Sequence, residues 1–236
     1  MFFDQEFVRE FSPQASLCLA TDEVGRGPLA GPVVSCTVIS KIEKSWIETL
    51  NSLDSAGVCD SKKLTEAKRQ KILSSLEIPH EELKLNRVYS NSMFSYVVTE
   101  ANHELIDEIN IHHASLRAMQ IGIEKLMEGQ AEKAIVLVDG KWRPKLSDRL
   151  LLQVQQEPII KGDSKSLMIG IASIIAKEFR DSLMKKMDIQ YPGYGLGGHS
   201  GYPTPKHKAA IEELGPSPIH RKSFKGVREF TSQPVN

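Results

Sequence analysis

The 236-residue chain carries 30 Lys and Arg against 30 Asp and Glu, so its formal charge is zero and no whole-protein field selects a polyanionic partner. Its 40% hydrophobic and 25% charged content is that of an ordinary globular chain, which argues against a disordered or fibrous protein, and the length suits one sizeable domain. No apolar run approaches the roughly 18 residues of a membrane span, residues 1–10 lack the basic-then-apolar order of a signal peptide, and Cys18, Cys36 and Cys59 are too scattered for a disulfide framework or zinc site, so a cytoplasmic protein is expected.

Taking the chain in order, Leu17-Cys18-Leu19-Ala20 reads as the end of a short buried strand, and the β-branched, alternating run Val33 to Ile39 reads as a second. Between them lies Asp22-Glu23-Val24-Gly25-Arg26-Gly27-Pro28-Leu29-Ala30-Gly31-Pro32, where an acidic pair runs into a glycine-bracketed arginine. The glycine spacing, with Pro28 and Pro32 inside it and no helix beginning there, is wrong for a dinucleotide-binding loop. Glycines on both sides of an arginine instead free backbone amides to approach a ligand and add a planar cation for phosphate. Residues 41–53 read as helical or irregular, and Thr65 followed by Glu66 opens a helix with Ile72 and Leu73 on its apolar face. Leu83 to Tyr89 alternates and is expected as a strand beside the first two.

Residues 95–127 are expected as two helices, the second with an apolar stripe through Ile111, Ala114, Met119, Ile123 and Leu126. Ala134 to Val138 is a continuous apolar run of the buried parallel type and ends at Asp139-Gly140. The short run Pro158-Ile159-Ile160 ends at Gly162-Asp163 and leads into the strongest helical pattern of the chain, in which Leu167, Ile171, Ile175, Phe179 and Leu183 recur every four residues. The glycine-rich segment 191–203 reads as an irregular loop, of the kind that links elements or wraps a ligand. Pro205 opens a last short helix reaching about Leu214. Strands first, then helices and strands alternating, give an α/β fold, an antiparallel hairpin set extended by parallel strands.

Asp22, Asp139 and Asp163 each fall at or just past the C-terminal end of an expected strand, the edge where open α/β sheets bind ligands. Taken singly, Asp163 suits a helix N-cap, Asp139-Gly140 a turn and Asp22 a turn initiator. Together with Glu23 they would set four carboxylates at one edge, where repulsion raises their pKa values unless cations sit between them. Hard oxygen donors without histidine or cysteine select Mg²⁺ or Mn²⁺, and two such ions about 4 Å apart are the usual machinery of phosphodiester cleavage. Two basic stretches, Lys141 to Lys165 and Lys206 to Arg228, read by default as solvated faces, but they also suit a phosphodiester backbone led to a metal site. Ser173 has no partnered histidine and is not expected to be a nucleophile. His199 and His207 are placed where they could assist a proton transfer.

These residues match a known pattern: the chain resembles bacterial ribonuclease HII. Asp22 to Pro32 is similar to the family's Asp-Glu-x-Gly-Arg-Gly signature. Asp60-Ser61-Lys62-Lys63-Leu64, Asn110-Ile111 with Ala114-Ser115, Val138-Asp139-Gly140, Lys161-Gly162-Asp163 through Lys177, His199 to Tyr202, and Pro218 to Arg221 follow in the family's order over roughly residues 16 to 228. The resemblance implies a ribonuclease H-like fold, with a mixed central sheet flanked by helices and a C-terminal helical and loop extension. The boundaries it implies are an N-terminal extension over 1–15, a catalytic domain over 16–230 whose substrate-contacting segment spans about 188–230, and a tail over 231–236.

It further implies an endonuclease that cuts the RNA strand of RNA/DNA hybrids and acts at single ribonucleotides in duplex DNA. By matching positions, Asp22, Glu23, Asp139 and Asp163 would be the catalytic, metal-binding acids for Mg²⁺ or Mn²⁺. Gly25, Arg26 and Gly27 would read the ribose 2′-OH, the group that tells RNA from DNA. Tyr202 would pack against the sugar of the following deoxynucleotide, and Lys62 and Lys165 would lie near phosphates. Thr21 and Ser200 depart from the family pattern, where an apolar residue and a lysine are common. Arg26, where the sister family ribonuclease HIII carries lysine, favours the HII assignment. A monomer without an obligate protein partner is expected, and the last residues lack the paired aromatics of a sliding-clamp peptide. A junction resolvase or a non-catalytic nucleic-acid-binding module are the rival readings.

Overall fold

The β-branched, alternating segments pair as a single mixed sheet in the computed structural model, which describes residues 1–79 and 83–231. Its six strands are β1 (Leu17–Val24), β2 (Val33–Lys41), β3 (Val88–Ser90), β4 (Ser95–Ala101), β5 (Ala134–Asp139) and β6 (Val154–Ile159), in the spatial order β3-β4-β2-β1-β5-β6. β1 pairs antiparallel with β2, which continues antiparallel to β4 and β3, while β5 and β6 extend the sheet parallel to β1. The C-terminal ends of β1 and β5 therefore lie side by side, with Thr21 and Val138 as their last registered partners.

Period-2 alternation sorts the side chains of each strand onto two faces. Cys18, Ala20, Ile135 and Leu137 pack in a core that includes Ile171, Ile174 and Ile175 of a long helix, α6 (Leu167–Gln190). Helices α1 (Phe3–Phe11), α2 (Lys44–Ser55) and α3 (Glu66–Ser75) close the same layer. Leu17, Leu19, Val136 and Val138 face the other way, onto Met119, Ile123 and Leu126 of α4 (His103–Met127). The remaining helices are α5 (Asp148–Leu151), α7 (Leu196–His199) and α8 (Pro205–Leu214). Among the described residues no helix is long and apolar enough to cross a membrane.

Helix boundaries follow local chemistry. Thr65 caps α3 by accepting the Lys68 amide, and Thr204 caps α8, whose first residue is Pro205. The N-terminus of α6 has two caps: Ser166 accepts the Ile169 amide, and buried Asp4 of α1 accepts from the Ser166 hydroxyl and the Leu167 amide. The first helix of the chain, within the segment expected as an extension, is thus fastened to the core.

Two expectations are corrected. Residues 95–101 form β4 rather than the start of a helix, because Tyr96, Val97, Val98 and Thr99 are aromatic or β-branched and fit a pleated, buried surface between β2 and β3. The strand expected over 83–89 shrinks to Val88–Ser90, and of its neighbours residues 80–82 lie outside the described residues. The two helices expected in this part of the chain are present within α4, divided at Asn110, whose φ of 65° lets its carboxamide cap the second by accepting the His112 and His113 amides.

Candidate active site

The sheet edge formed by the ends of β1 and β5 gathers the acidic residues. Asp22 and Asp139 each follow directly on the last paired residues of adjacent strands, and both share the parity of the α6-facing side chains. Asp22, 3% exposed, accepts from the Ser173 hydroxyl of α6 and from the Glu23 amide at 2.7 Å. Asp139 Oδ1 accepts the Gly162 amide at 2.7 Å, across a gap so close that a Cβ on Gly162 would stand 3.1 Å from that oxygen. This bond ties Asp139 to the 3-10 turn Gly162–Ser164, which carries Asp163 into the base of α6. Glu23 has the opposite parity, and its carboxylate meets the Arg26 guanidinium at 3.3 Å.

Burial and like charge act together on these groups. Burial, reinforced by the charges of Glu23 and Asp139, pushes the Asp22 carboxyl well above the usual carboxylate range, against the pull of the Ser173 hydrogen bond. Glu23 is raised to about 7 by burial, with Arg26 opposing and Asp139 assisting the rise. Asp163 is raised by burial and by Asp139 and Asp60. The resident counter-charge is Lys62, whose ammonium lies 3.6 Å from Asp163 and whose pKa rises because Asp22, Asp163, Asp60 and Asp139 outweigh its burial. Among the described residues no three His, Cys, Asp or Glu side chains already converge as a ligand shell. The donor set nevertheless suits a hard divalent cation: oxygen atoms from several carboxylates, held in place and short of positive charge.

Over this edge lies the glycine-bracketed arginine, and its backbone is gripped from below by two arginines. Arg221, fully buried, donates to the carbonyls of Gly25 at 2.6 Å, Arg26 at 2.9 Å and Gly31 at 2.9 Å. Arg180 of α6, also fully buried, donates to Pro32 at 3.0 Å, Ala30 at 3.3 Å and Ser200 at 2.9 Å. In a trans peptide the N–H points opposite to the C=O. Drawing the Gly25 and Arg26 carbonyls towards Arg221 therefore turns the Arg26 and Gly27 amides away from it, the arrangement that receives a ligand oxygen. Gly25, at a φ of 92°, has no room for a side chain because a Cβ would run into the Arg180 guanidinium.

Tyr202 is 40% exposed and its ring approaches Gly27, where a Cβ would stand 3.4 Å from Cε1. Its backbone is fixed from behind, the carbonyl accepting from the Thr204 amide and pairing with His207 Nδ1 at 3.0 Å. Lys165 is exposed on the rim, its backbone amide bonded to the Gly162 carbonyl, and among the described residues it forms no ion pair with the acids. Ser200 turns inward, its hydroxyl donating to Asp181 at 3.0 Å. The polar Thr21 is accommodated in a buried hydroxyl cluster with Ser35 and Thr37.

The expected basic stretch near the C-terminus is only partly a surface. His207, His220 and Arg221 are fully buried, and His207 and His220 pair through their Nε2 atoms at 3.1 Å, so they support the Tyr202 loop instead of contacting solvent. Proton transfer by His207 is thereby disfavoured, since burial also lowers its pKa. Sequence reasoning passed over four supports: Ser173, Asp60, Arg180 and Arg221. Arg180 was hidden as one of several charges on α6, beside Lys177, Glu178 and Asp181, and Arg221 within a run that looked like a basic face.

Comparison with known proteins gives a consistent picture. The sequence matches the family model described as Ribonuclease HII over residues 19–227. Among solved structures, the ribonuclease H2 from Pyrococcus horikoshii OT3 superposes with a TM-score of 0.64 at 27% identity, covering 91% of this chain and 96% of that one. The structure of the PCNA:RNase HII complex from Archaeoglobus fulgidus gives a TM-score of 0.62 at 20% identity over 89% and 95% of the two chains. Bst-RNase HIII in complex with Mn²⁺ gives 0.61 at 15% identity over 96% and 79%. The latter two, at such identities, speak to the fold.

Proposed function

This chain belongs to the ribonuclease HII family and is a ribonuclease H, a hydrolase of phosphodiester bonds, and we propose that Asp22, Glu23, Asp139 and Asp163 are its catalytic acids. The family acts on RNA/DNA hybrids. In our reading this enzyme cuts the RNA strand of such hybrids and also cuts 5′ of ribonucleotides embedded in duplex DNA, leaving 5′-phosphate and 3′-hydroxyl ends. Such an activity serves ribonucleotide removal during DNA replication and repair. The observation that supports it best is the joint placement of a carboxylate edge short of positive charge and, a few residues away, a loop whose amides face outward.

The chain's own residues divide the work. Asp22, Asp139 and Asp163, with Glu23, would hold Mg²⁺ or Mn²⁺, and the Mn²⁺ complex of the HIII neighbour is in keeping with that choice. When bound there, divalent cations supply activation of water and stabilisation of the departing 3′-oxygen. Ser173 orients Asp22, and the Gly162 amide orients Asp139. Lys62 brings a positive charge to the scissile phosphate while it still touches Asp163. The Gly25-Arg26-Gly27 amides receive the ribose 2′-OH, and Tyr202 packs on the next sugar, so that an RNA–DNA junction is recognised. Lys165 on the rim meets a more distant phosphate. The partner set is nucleic acid; we propose a monomer with no obligate protein partner, the PCNA complex being a property of the Archaeoglobus protein.

A panel of duplexes tests this reading: one with a single ribonucleotide, an all-RNA/DNA hybrid and an all-DNA control, each with Mg²⁺ and Mn²⁺ titrated separately. Cleavage of the first two and none of the third is expected. Cleavage of branched all-DNA substrates with no need for a ribonucleotide would replace it with a junction resolvase.

A further inference from the structure

Beside the catalytic edge one large aromatic side chain stands in water. Trp142 is 60% exposed, only three residues beyond Asp139 in the chain. Its loop is not loose. Arg143 turns back to donate to the Gln156 carbonyl at 2.8 Å and meets Glu157 at 3.6 Å, and Leu146 is buried in the α4-side core. The indole is therefore presented outward by a fastened backbone.

Trp142 also has a companion. The His112 ring, at the start of the second half of α4, meets it edge-on with centroids 5.3 Å apart, and His113 stacks edge-on against His112 at 5.1 Å. Asn110 fixes both histidines' backbone through its carboxamide. His112 is close enough to Arg26 to feel its charge, and Arg26 in turn touches Glu23. The recognition loop thus has Tyr202 against Gly27 and the His112–Trp142 pair towards Arg26.

A single exposed aromatic is ordinary on a protein surface. This one differs in lying on a pinned loop, in contact with a second ring, continuous with the catalytic edge and flanked by exposed Lys141 and Lys145. Aromatic faces interleaved with cations are the chemistry that binds the sugar and base faces of nucleic acid while the cations track its phosphates. A 2′-OH is displayed in the wide, shallow minor groove of an A-like duplex. A site that reads it faces that groove, whose walls are sugars rather than base faces.

We propose that Trp142, backed by His112, is a second sugar-packing platform, which takes a nucleotide sugar in the minor-groove wall of the substrate duplex away from the one met by Tyr202. The inference rests on the ribonuclease reading above. Its role is in binding: the ring partner of the indole is His112, which is none of the four acids.

The chain has two tryptophans, and Trp46 is buried at 4% exposure, so Trp142 dominates the solvent-sensitive emission. Wild-type protein is titrated in EDTA with an unlabelled duplex carrying one ribonucleotide, and saturation is confirmed by anisotropy of a labelled copy. The emission of Trp142 should shift to the blue and change in intensity, and Trp142→Phe should remove that response while keeping most of the affinity. Trp142→Ala should raise KM about tenfold, in line with aromatic contacts to nucleotides, with kcat within about twofold and thermal stability unchanged. Saturated binding with unaltered emission, or an unaltered KM in Trp142→Ala, would overturn the platform. A wild-type enzyme that binds and shows the emission change yet cleaves none of the duplexes would support the platform and count against the function.

Discussion

Two places in this molecule bury like charges together, and they resolve the problem in opposite ways. At the carboxylate edge, Asp22, Glu23 and Asp163 are raised by burial and by neighbouring carboxylates, Asp139 acting on all three, with Lys62 and Arg26 as partial counter-charge. Beneath the Gly25-to-Pro32 loop, Arg180 and Arg221 are buried with backbone carbonyls as their acceptors, and burial lowers them to about 10 and about 9, so both stay charged at neutral pH. A guanidinium surrounded by aligned carbonyl dipoles is satisfied from within the fold. The carboxylates have only Lys62 and Arg26 as nearby counter-charge, and on the function proposed above a divalent cation completes them. On that reading the edge is the part open to a ligand, and the clamp is the part that is finished.

The sharpest way to break this contrast is to neutralise each side. Asp163→Asn should reduce cleavage by roughly a thousandfold or more, as removal of a member of a cooperating catalytic group does. The same change should leave the melting temperature of metal-free protein unchanged or higher, because one of several repelling charges is gone. Arg221→Met should do the reverse in stability: with three loop carbonyls losing their donor, unfolding in urea should show a loss of roughly 3–5 kcal/mol, and Lys should not rescue, lacking the planar fork. Equal destabilisation by both variants would erase the distinction drawn between the two regions.

Proton linkage offers a gentler probe. Glu23 titrates near 7 in the fold and near the ordinary 4.5 when unfolded, so the folded state keeps a proton that the unfolded state releases between those values. Metal-free stability from this group therefore falls as pH rises from about 4.5 to 7. His220 works with the opposite sign: held to about 4 by burial and by His207, it favours folding more as pH rises from about 4 to 6.5. Mg²⁺ or Mn²⁺ should consequently raise the melting temperature more at pH 8 than at pH 5, and Glu23→Gln should reduce that difference. A metal effect independent of pH would argue that the carboxylates are not its ligands.

The smallest expected change belongs to Ser173→Ala. Losing its bond to Asp22 and to Ser61 should cost about 1 kcal/mol of stability and move the acidic limb of the pH–rate profile upward, since the serine lowers the Asp22 pKa. An unshifted limb with the same stability loss would leave Ser173 only structural.

Much of this was legible in the chain because strand ends are marked by composition. The apolar run Ala134 to Val138 stops at Asp139, and α6 announces itself through isoleucines at helical spacing. The acids were legible for the same reason, each falling where a pattern changes. The supports were not, because they lie at long sequence separation: Arg221 reaches Gly25 across 196 positions and Ser61 reaches Ser173 across 112. The pattern of β4 was misjudged for another reason, since Tyr96 to Thr99 is short and apolar enough to suit either period and only its position beside β2 decides.

The central claim is that the carboxylate edge is completed by a divalent cation and is the seat of cleavage. It is tested most directly by following Mn²⁺ occupancy by electron paramagnetic resonance and cleavage of a single-ribonucleotide duplex together, in wild type and in Asp22→Asn. The account predicts that Asp22→Asn loses tight Mn²⁺ binding and cleavage together while remaining folded. Full cleavage by that variant, or wild-type cleavage that persists in EDTA, would contradict it.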